Sequence, residues 1–372
     1  MLQNKIYQNY FIEIIKTFFI IVLGLSLIAL TVRAVNFLEL IVDNGYSVSI
    51  YFLYSFLNLF GIAPKFIPLA FLISVVVFII KHNDDSEFII LWSSGVKKIQ
   101  LVNLILLSSL TALIIYLFLS AFITPLALNK SRTLLSQDQL NSFLPTIRSQ
   151  QFTDSFKGFT FIVDNKINNE VENIFLHDTG NNLRNFSSNT LDVASTTIAA
   201  KKGIIKNRSM FLINGQIISK TKENVEVINF EQLNINLNNL STSTIKEPKL
   251  QETSTIKLLK CFLVKFKNEK ICSEEGKKEI IPNLIRRLAL PFYIPAIALI
   301  CSFLLIRNNV FFLDKFTIYL TSFLLLVFTE LFIRYTGINL ELGIFYILLP
   351  FILIIIFYST LLIQFNKGKK NI

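Results

Sequence analysis

Six runs of apolar residues constrain the fold of this chain most strongly, because each is long enough to cross a bilayer as a helix. A helix rises about 1.5 Å per residue, so about 20 apolar residues span the hydrocarbon core. The sequence therefore predicts an α-helical integral membrane protein with six transmembrane helices, in two groups of three around one long insertion. The runs lie at roughly 17–38, 54–80, 99–124, 288–306, 313–333 and 344–365.

The composition agrees with a membrane protein. Of the 372 residues, 52% are hydrophobic and 16% are charged, whereas soluble domains have about 45–50% apolar and about 25% charged residues. The net charge of +11 favours an anionic partner, such as a lipid headgroup, a nucleic acid or an acidic sugar-phosphate. A coding bias towards Lys, Asn, Ile and Phe explains the same charge equally well.

The basic residues of the short loops predict the orientation of the spans. With both termini cytoplasmic, the short outer loops hold only Arg33 and Arg334, although Arg286 and Arg287 count mildly against this orientation. Basic residues also precede the first run, as in a secretory signal, but no small-residue cleavage site follows, so we expect this span to be retained. The inner segments then hold Lys5, Lys16, Lys81, Lys97, Lys98, Arg307, Lys315, Lys367, Lys369 and Lys370.

The insertion between the third and fourth runs has the pattern of β structure. Short stretches rich in Phe, Ile and Val, such as 158–165 and 171–179, are bounded by Asn, Asp and Gly. Asn214–Gly215 lies between two apolar stretches and predicts a hairpin turn. We therefore expect an inserted antiparallel sandwich or jelly roll on the periplasmic side.

These patterns divide the chain into three predicted domains. Residues 1–124 hold the first three transmembrane helices and a short amphipathic helix at about 84–96. Residues 125–283 form the β-jelly-roll domain, which ends in a polar, Ser/Thr-rich linker at 238–256, after which the apolar spacing turns helical. Residues 284–372 hold the last three helices and a cytoplasmic tail.

The sequence has no motif for chemistry of its own. It contains no phosphate-binding loop, G-x-S-x-G, H-E-x-x-H or paired CxxC. Cys261 and Cys272 can pair if they lie outside the cytoplasm, while Cys301 is expected to be a small core residue. The two histidines, His82 and His177, are far apart, so no metal site or cofactor is expected. We predict a protein that is not an enzyme and that draws energy from a partner subunit.

A short amphipathic helix is predicted between the second and third runs. Glu87 begins its apolar stripe, and Gly95 ends it. Such a helix either lies on the inner leaflet or docks in a groove of a cytoplasmic partner. Docking is favoured, because anionic lipid repels the acidic residues at its amino end. The stripe consists of Phe88, Ile89, Leu91 and Trp92.

Basic residues recur at the predicted outer ends of the spans. Each of them is explained by snorkelling, in which a long side chain lifts its charge to the headgroups. As a further alternative, the i,i+4 spacing would let Arg334 pair with Glu330. Their common depth, however, predicts a ring of cations that holds the phosphate of an anionic headgroup. The residues are Arg33, Lys65, Arg286, Arg287 and Arg334.

The order of these features resembles the LptF/LptG (YjgP/YjgQ) family of lipopolysaccharide export permeases. "DSEFIILWSSGV" is similar to the family's coupling-helix motif, with Glu87 and Gly95 at its acidic and glycine positions. "IIPNLIRRLALP" resembles the basic pair and proline that begin the fourth span, with Arg287 and Pro291 matching. "AKKGIIKNRSMFLINGQII" resembles a strand pair of the jelly roll, and "NFLELIVDNGYSV" is more like the F member than the G member.

The sequence also departs from the family's pattern. Trp92, Ser93 and Ser94 replace the usual Arg-Ala-Ala-like run before the glycine, and Ile285 precedes the basic pair. These departures affect the docking contacts rather than the overall layout.

The resemblance implies a permease of an ABC transporter that extracts lipopolysaccharide from the inner membrane. Its implied partners are a homologous LptG-like permease, a cytoplasmic LptB-like ATPase dimer that grips the coupling helix, and periplasmic LptC/LptA-like bridge proteins. Its ligands are lipopolysaccharide and membrane lipid, and no nucleic acid is implied. Two alternatives stay open on the residues alone: a mechanotransmitting ABC-type subunit, and a membrane scaffold without transport.

Overall fold

The computed structural model forms two compact units, which are described one at a time. The first consists of Met1–Thr31, Leu57–Asn129 and Lys249–Ile372, and the second of Val32–Phe56 and Lys130–Pro248. The structure describes residues 5–42, 47–139, 149–156, 158–167, 169–179, 193–206, 209–221, 225–236, 249–263, 274–306 and 312–367.

Ten α-helices are found among the described residues. The helices before the sheet are α1 (Lys5–Val42), α2 (Val48–Asp84), α3 (Glu87–Ser93), α4 (Lys98–Phe118) and α5 (Thr124–Gln139), with a π-helical turn at Leu119–Ile123 between α4 and α5. The helices after the sheet are α6 (Thr255–Leu263), α7 (Glu274–Leu288), α8 (Tyr293–Ser302), α9 (Phe312–Ile333) and α10 (Leu340–Lys367). Short 3₁₀ turns at Leu290–Phe292 and Phe303–Leu305 flank α8.

The prediction of six transmembrane helices is confirmed for the part of the chain that the structure describes, so the protein is a multi-pass membrane protein. The helices extend beyond the apolar runs, because the runs mark only the hydrocarbon core and helical hydrogen bonding continues into the polar flanks. The segments long and apolar enough to span are Lys5–Leu38, Val48–Asp84, Lys98–Leu135, Lys278–Leu305, Phe316–Ile333 and Glu341–Asn366.

Helix α8 lies at the centre of the first unit. All ten of its residues, Tyr293–Ser302, are buried. Its small residues let neighbouring helices approach closely, which favours association inside a membrane. The Ser302 hydroxyl donates to the Ala298 carbonyl at 2.8 Å, so this buried polar group is paired within the helix.

Helix α1 packs on α2 through a stripe at helical spacing. Ile14 and Phe18 are buried, and the Phe18 ring meets Phe71 of α2 edge to face, with 6.1 Å between centroids. The Ser74 hydroxyl of α2 donates to the Ile14 carbonyl at 2.8 Å. This bond joins the two helices where no water is available to either group.

The second unit contains a sheet of six antiparallel strands, which confirms the inserted β domain. Neighbours in sequence are neighbours in the sheet, in the order β1 to β6, so the described strands form a meander. Phe159, Phe161 and Val163 alternate towards its core. The strands are β1 (Thr153–Phe156), β2 (Phe159–Ile167), β3 (Glu170–Asp178), β4 (Val193–Lys206), β5 (Ser209–Thr221) and β6 (Val225–Asn236).

The predicted hairpin at Asn214–Gly215 is wrong, because both residues lie inside β5. Asn214 has φ 54°, and the buried positions shift from Leu212 before it to Ile217 after it, an odd spacing. Asn173 of β3 has φ 50°, and there the buried positions likewise shift, from Val171 to Ile174. A residue with positive φ interrupts the in–out alternation of side chains along a strand. Asn214–Gly215, which predicts a turn in the sequence, therefore forms an irregularity inside a continuous strand, which we call the crease.

Replacing Gly215 with alanine should destabilise this crease. An added Cβ would meet the Ala199 carbonyl of β4 and the Phe230 ring of β6, and the backbone of a central strand cannot move aside. We expect the sheet to lose about 1–3 kcal/mol of unfolding free energy, measured by hydrogen exchange of β4 and β5 in the full chain. Gly24→Ala is the control, since an added Cβ there meets nothing within 4 Å; equal exchange in both variants would contradict the prediction.

Candidate functional site

A pocket in the first unit brings together three of the five predicted headgroup cations. Lys65 comes from α2, and Arg286 and Arg287 come from the end of α7. Arg33 is exposed on α1 within the second unit, and Arg334 is exposed just after α9 and does not line the pocket. We call this site the cation pocket; it is lined by Gly61, Pro64, Lys65, Tyr116, Ser120, Thr124, Gln251, Asn283, Arg286 and Arg287.

Arg287 is part of the wall of the cation pocket. Its side chain is buried, with the residue only 5% exposed. Nη1 donates to the Thr253 carbonyl at 2.9 Å and to Thr255 Oγ1 at 3.0 Å. Nη2 donates to the carbonyls of Leu250 and Gln251 at 2.9 and 3.1 Å. Because these bonds use the four terminal N–H groups, the guanidinium holds the 250–255 turn in place, and its predicted contact with a headgroup is better described as indirect.

The π-helical turn at Leu119–Ile123 supports the same wall. The Ala121 carbonyl accepts a hydrogen bond from Thr255 Oγ1 at 2.7 Å, and Thr124 Oγ1 donates to the Phe60 carbonyl of α2 at 2.7 Å. A π turn changes the register of the helix carbonyls and is frequent at functional sites. Here it links the third span both to α2 and to the segment that Arg287 holds.

Arg286 is more accessible and has an acidic partner. Its side chain is 34% exposed, and Nη2 donates to Glu330 Oε2 of α9 at 3.0 Å. The alternative pairing of Glu330 with Arg334 is therefore wrong: the tertiary fold gives Glu330 a partner from another helix. The Arg286 carbonyl accepts from the Tyr116 hydroxyl at 3.0 Å. Lys65 is also exposed, so the lining of the pocket includes two accessible cations and a buried third.

The predicted amphipathic helix forms α3, which is shorter than the 84–96 range because α2 continues to Asp84. Ser86 precedes α3 with φ 58°, and Gly95 follows it with φ 90°, a conformation that glycine adopts without strain. The glycine therefore ends the helix as predicted.

The two faces of α3 differ from the prediction. Phe88 and Leu91 are 1% and 7% exposed and belong to the core of the first unit, so they do not lie on the exposed surface of α3. Ile89 and Ile90, 46% and 66% exposed, form the outward face with the exposed Glu87. Five apolar residues in a row, 88–92, made the outward side ambiguous in the sequence, because periodicity needs polar positions to define a face.

Trp92 lies between these faces. Its ring stacks on Phe88, with 5.9 Å between centroids and 21° between planes. Lys98 Nζ lies 4.3 Å from the Trp92 ring centroid, which is a cation–π contact. Trp92 thus connects the carboxyl end of α3 to the start of α4. This contact gives a structural reason for a large aromatic residue at position 92, where the sequence departs from the motif that it resembles.

Comparison with known families agrees with this architecture. A family model described as "Lipopolysaccharide export system permease LptF/LptG" matches residues 10–364, which include both helical groups and the sheet. The chain belongs to the LptF/LptG family. The family contains both members, so the F assignment stays a prediction. No curated protein matches the chain.

Membership of the LptF/LptG family decides between the hypotheses drawn from the residues. The protein is a lipopolysaccharide export permease, and neither the mechanotransmitting subunit nor the scaffold is favoured. As a permease it is a transport subunit rather than an enzyme. Among the described residues no group of His, Cys, Asp and Glu could hold a metal ion.

Proposed function

We propose that this permease pairs with a homologous LptG-like permease and is driven by a cytoplasmic LptB-like ATPase dimer. The sequence has no phosphate-binding loop of its own, so the energy comes from that partner. The observation that carries the proposal is the outward face of α3, where Ile89 and Ile90 are exposed beside Glu87. An apolar helix face of this kind fits a groove of a partner protein.

The proposed orientation places both termini in the cytoplasm and the sheet in the periplasm of the inner membrane. The lysines and arginines of the short loops support it. Cys261 of α6 is disulfide-bonded, which fits an oxidising compartment outside the cytoplasm. With this orientation we also propose that the chain has three domains, at residues 1–124, 125–283 and 284–372.

We further propose that the cation pocket binds a phosphate of lipopolysaccharide. Lys65 and Arg286 contact the anion, because both are accessible, while Arg287 holds the wall behind them. A phosphate accepts two parallel bonds from one guanidinium, which gives Arg286 a geometric advantage over a point charge. Arg33 and Arg334, both exposed, attract the headgroup towards the spans.

Export then continues along the β domain. Periplasmic LptC/LptA-like bridge proteins add a strand to an open edge of the sheet. Of the two edges among the described strands, β6 has 12 residues and β1 has four. The longer edge offers more unpaired backbone groups, so β6 is the proposed junction.

A photo-crosslinking amino acid at Asn283 tests the pocket, because Asn283 lines it without charge. We expect an adduct with phosphorylated lipopolysaccharide that falls about tenfold in a Lys65→Gln, Arg286→Gln background, since charge-assisted hydrogen bonds are lost. The same probe at Ile355, 69% exposed on α10, is the control and should be insensitive to both substitutions. An Asn283 adduct that ignores them would overturn the proposal.

Glu330→Gln should strengthen lipid binding. The carboxylate holds Arg286 Nη2 at 3.0 Å and competes with a phosphate for the same donor. Its neutralisation removes that competition, so we expect the Asn283 adduct to rise about two- to fivefold, which is the size of a half-exposed ion pair. Glu341→Gln, on the exposed first turn of α10, is the matched control. A weaker adduct in Glu330→Gln would instead mean that the pair positions Arg286 for its ligand.

A further inference from the structure

A cluster of ionisable side chains joins three helices at the inner end of the α2 span. His82 lies in the last turn of α2 and is only 3% exposed. Its Nε2 lies 3.3 Å from Glu13 Oε2 of α1 and 3.4 Å from Glu87 Oε2 of α3. One imidazole therefore faces a carboxylate from each of two other helices.

Aromatic contacts fix the His82 ring in this position. It lies nearly parallel to the Phe88 ring of α3, with 21° between planes and 5.7 Å between centroids. It also contacts Phe78, with 4.4 Å between centroids, and meets Tyr10 of α1 edge on at 4.9 Å. The ring is thus packed by the same three helices whose charges it faces.

The atoms around the imidazole are all acceptors. Nδ1 lies 3.0 Å from the Phe78 carbonyl oxygen, which can only accept. Nε2 faces two carboxylate oxygens, which also accept when ionised. The ring contacts these oxygens through its N–H groups, and Nε2 is placed between Glu13 of α1 and Glu87 of α3.

Further bonds tie α1 to the same region. The Tyr10 hydroxyl donates to Glu87 Oε2 at 3.3 Å, and Lys81 Nζ pairs with Glu13 Oε1 at 2.6 Å. The Lys81 side chain is 59% exposed, so this second pair contributes little. Glu87, the acidic residue of the coupling-helix motif, is partly exposed but already has two partners within the chain, Tyr10 and His82.

We propose that His82 is a positioning residue that holds α3 on α1 through Glu13 and Glu87. A partner that binds the outward face of α3 then moves the first span together with α3. This inference rests on the proposed docking role of α3, but the contacts that carry it belong to the isolated chain.

His82→Phe tests the proposal, because it keeps an aromatic ring against Phe78 and Phe88 and removes both nitrogens. We expect hydrogen exchange of the α3 amides to become about tenfold faster in the full-length chain in lipid nanodiscs, since the His82 link to α1 is lost and only the Tyr10–Glu87 bond remains. Spin labels at Ile12→Cys and Ile89→Cys, both on exposed sites, should show a broader distance distribution. Lys81→Gln, the control, should change neither readout.

Glu13→Gln supplies a second variant if His82→Phe fails to fold, and it acts from α1 with the ring in place. We expect the same loosening of α3. Wild-type exchange and distance widths in both variants would overturn the proposal and leave His82 as a packing residue. No ATPase is present in these measurements, so a failure of docking and a failure of this tie are distinguishable.

Discussion

Replacing Ile90 with glutamate should abolish capture of the ATPase by this permease. Ile90 is 66% exposed in the middle of α3, and a charge there would be buried without a partner in an apolar groove. Central interface residues of this kind are worth about 2–4 kcal/mol, so we expect association to fall by about 30- to 1,000-fold. The measurement is affinity purification of the full-length chain from membranes, with the co-purified ATPase identified by mass spectrometry and assayed for ATP hydrolysis.

Two variants make this result specific to α3. Ile167→Glu places the same change on β2, where Ile167 is 70% exposed, and should leave capture unchanged. Ile90→Val keeps an apolar side chain and should retain most of the association. Undiminished capture with Ile90→Glu would rule out the outward face of α3 as the docking surface and would leave the cation pocket unaffected.

Replacing Arg287 with methionine should unfold the wall of the cation pocket. Methionine has a similar length but donates nothing, so the carbonyls of Leu250, Gln251 and Thr253 lose their buried donors. Removing the charged partner of buried polar groups costs about 3–5 kcal/mol. We expect a large drop in the midpoint of thermal unfolding. The measurement is size-exclusion chromatography of the detergent-solubilised permease after heating to a series of temperatures.

Arg286→Met is the matched control, one residue away on the same helix. Its ion pair with Glu330 is partly exposed, so its loss should cost no more than about 1 kcal/mol. Arg287→Lys keeps the charge but has one terminal nitrogen in place of Nη1 and Nη2, and its stability should fall between those of the other two variants. Equal stability of Arg286→Met and Arg287→Met would contradict the structural role of Arg287.

The neighbours Arg286 and Arg287 show where a sequence argument ends. The ring of cations is predicted because basic residues recur at the same depth at the outer ends of the spans, and these two neighbours look equivalent in the sequence. Successive residues of a helix point about 100° apart, so one side chain is buried against the 250–255 turn and the other reaches Glu330. Neither the turn nor Glu330 is near these arginines in sequence.

Contacts between residues far apart in sequence also explain why the sequence did not suggest the His82–Glu13 pair. His82 and Glu13 are 69 positions apart in the chain by their numbers, and an isolated histidine after an apolar run has no motif. Ile90 was missed for a different reason, because the continuous apolar stretch gave α3 two candidate faces. Only the packing of Phe88 into the core decides that Ile90 faces outward.

The sequence alone determined the membrane class, the six spans and the inserted β domain. Each depends on the length or the alternation of apolar residues, and transfer of apolar groups out of water is a local property that adds along the chain. The tertiary structure decided which arginine is buried, which face of α3 is free, and why Asn214–Gly215 creases a strand instead of turning it. Those outcomes depend on directional contacts between residues far apart in sequence, and such contacts leave no periodic pattern.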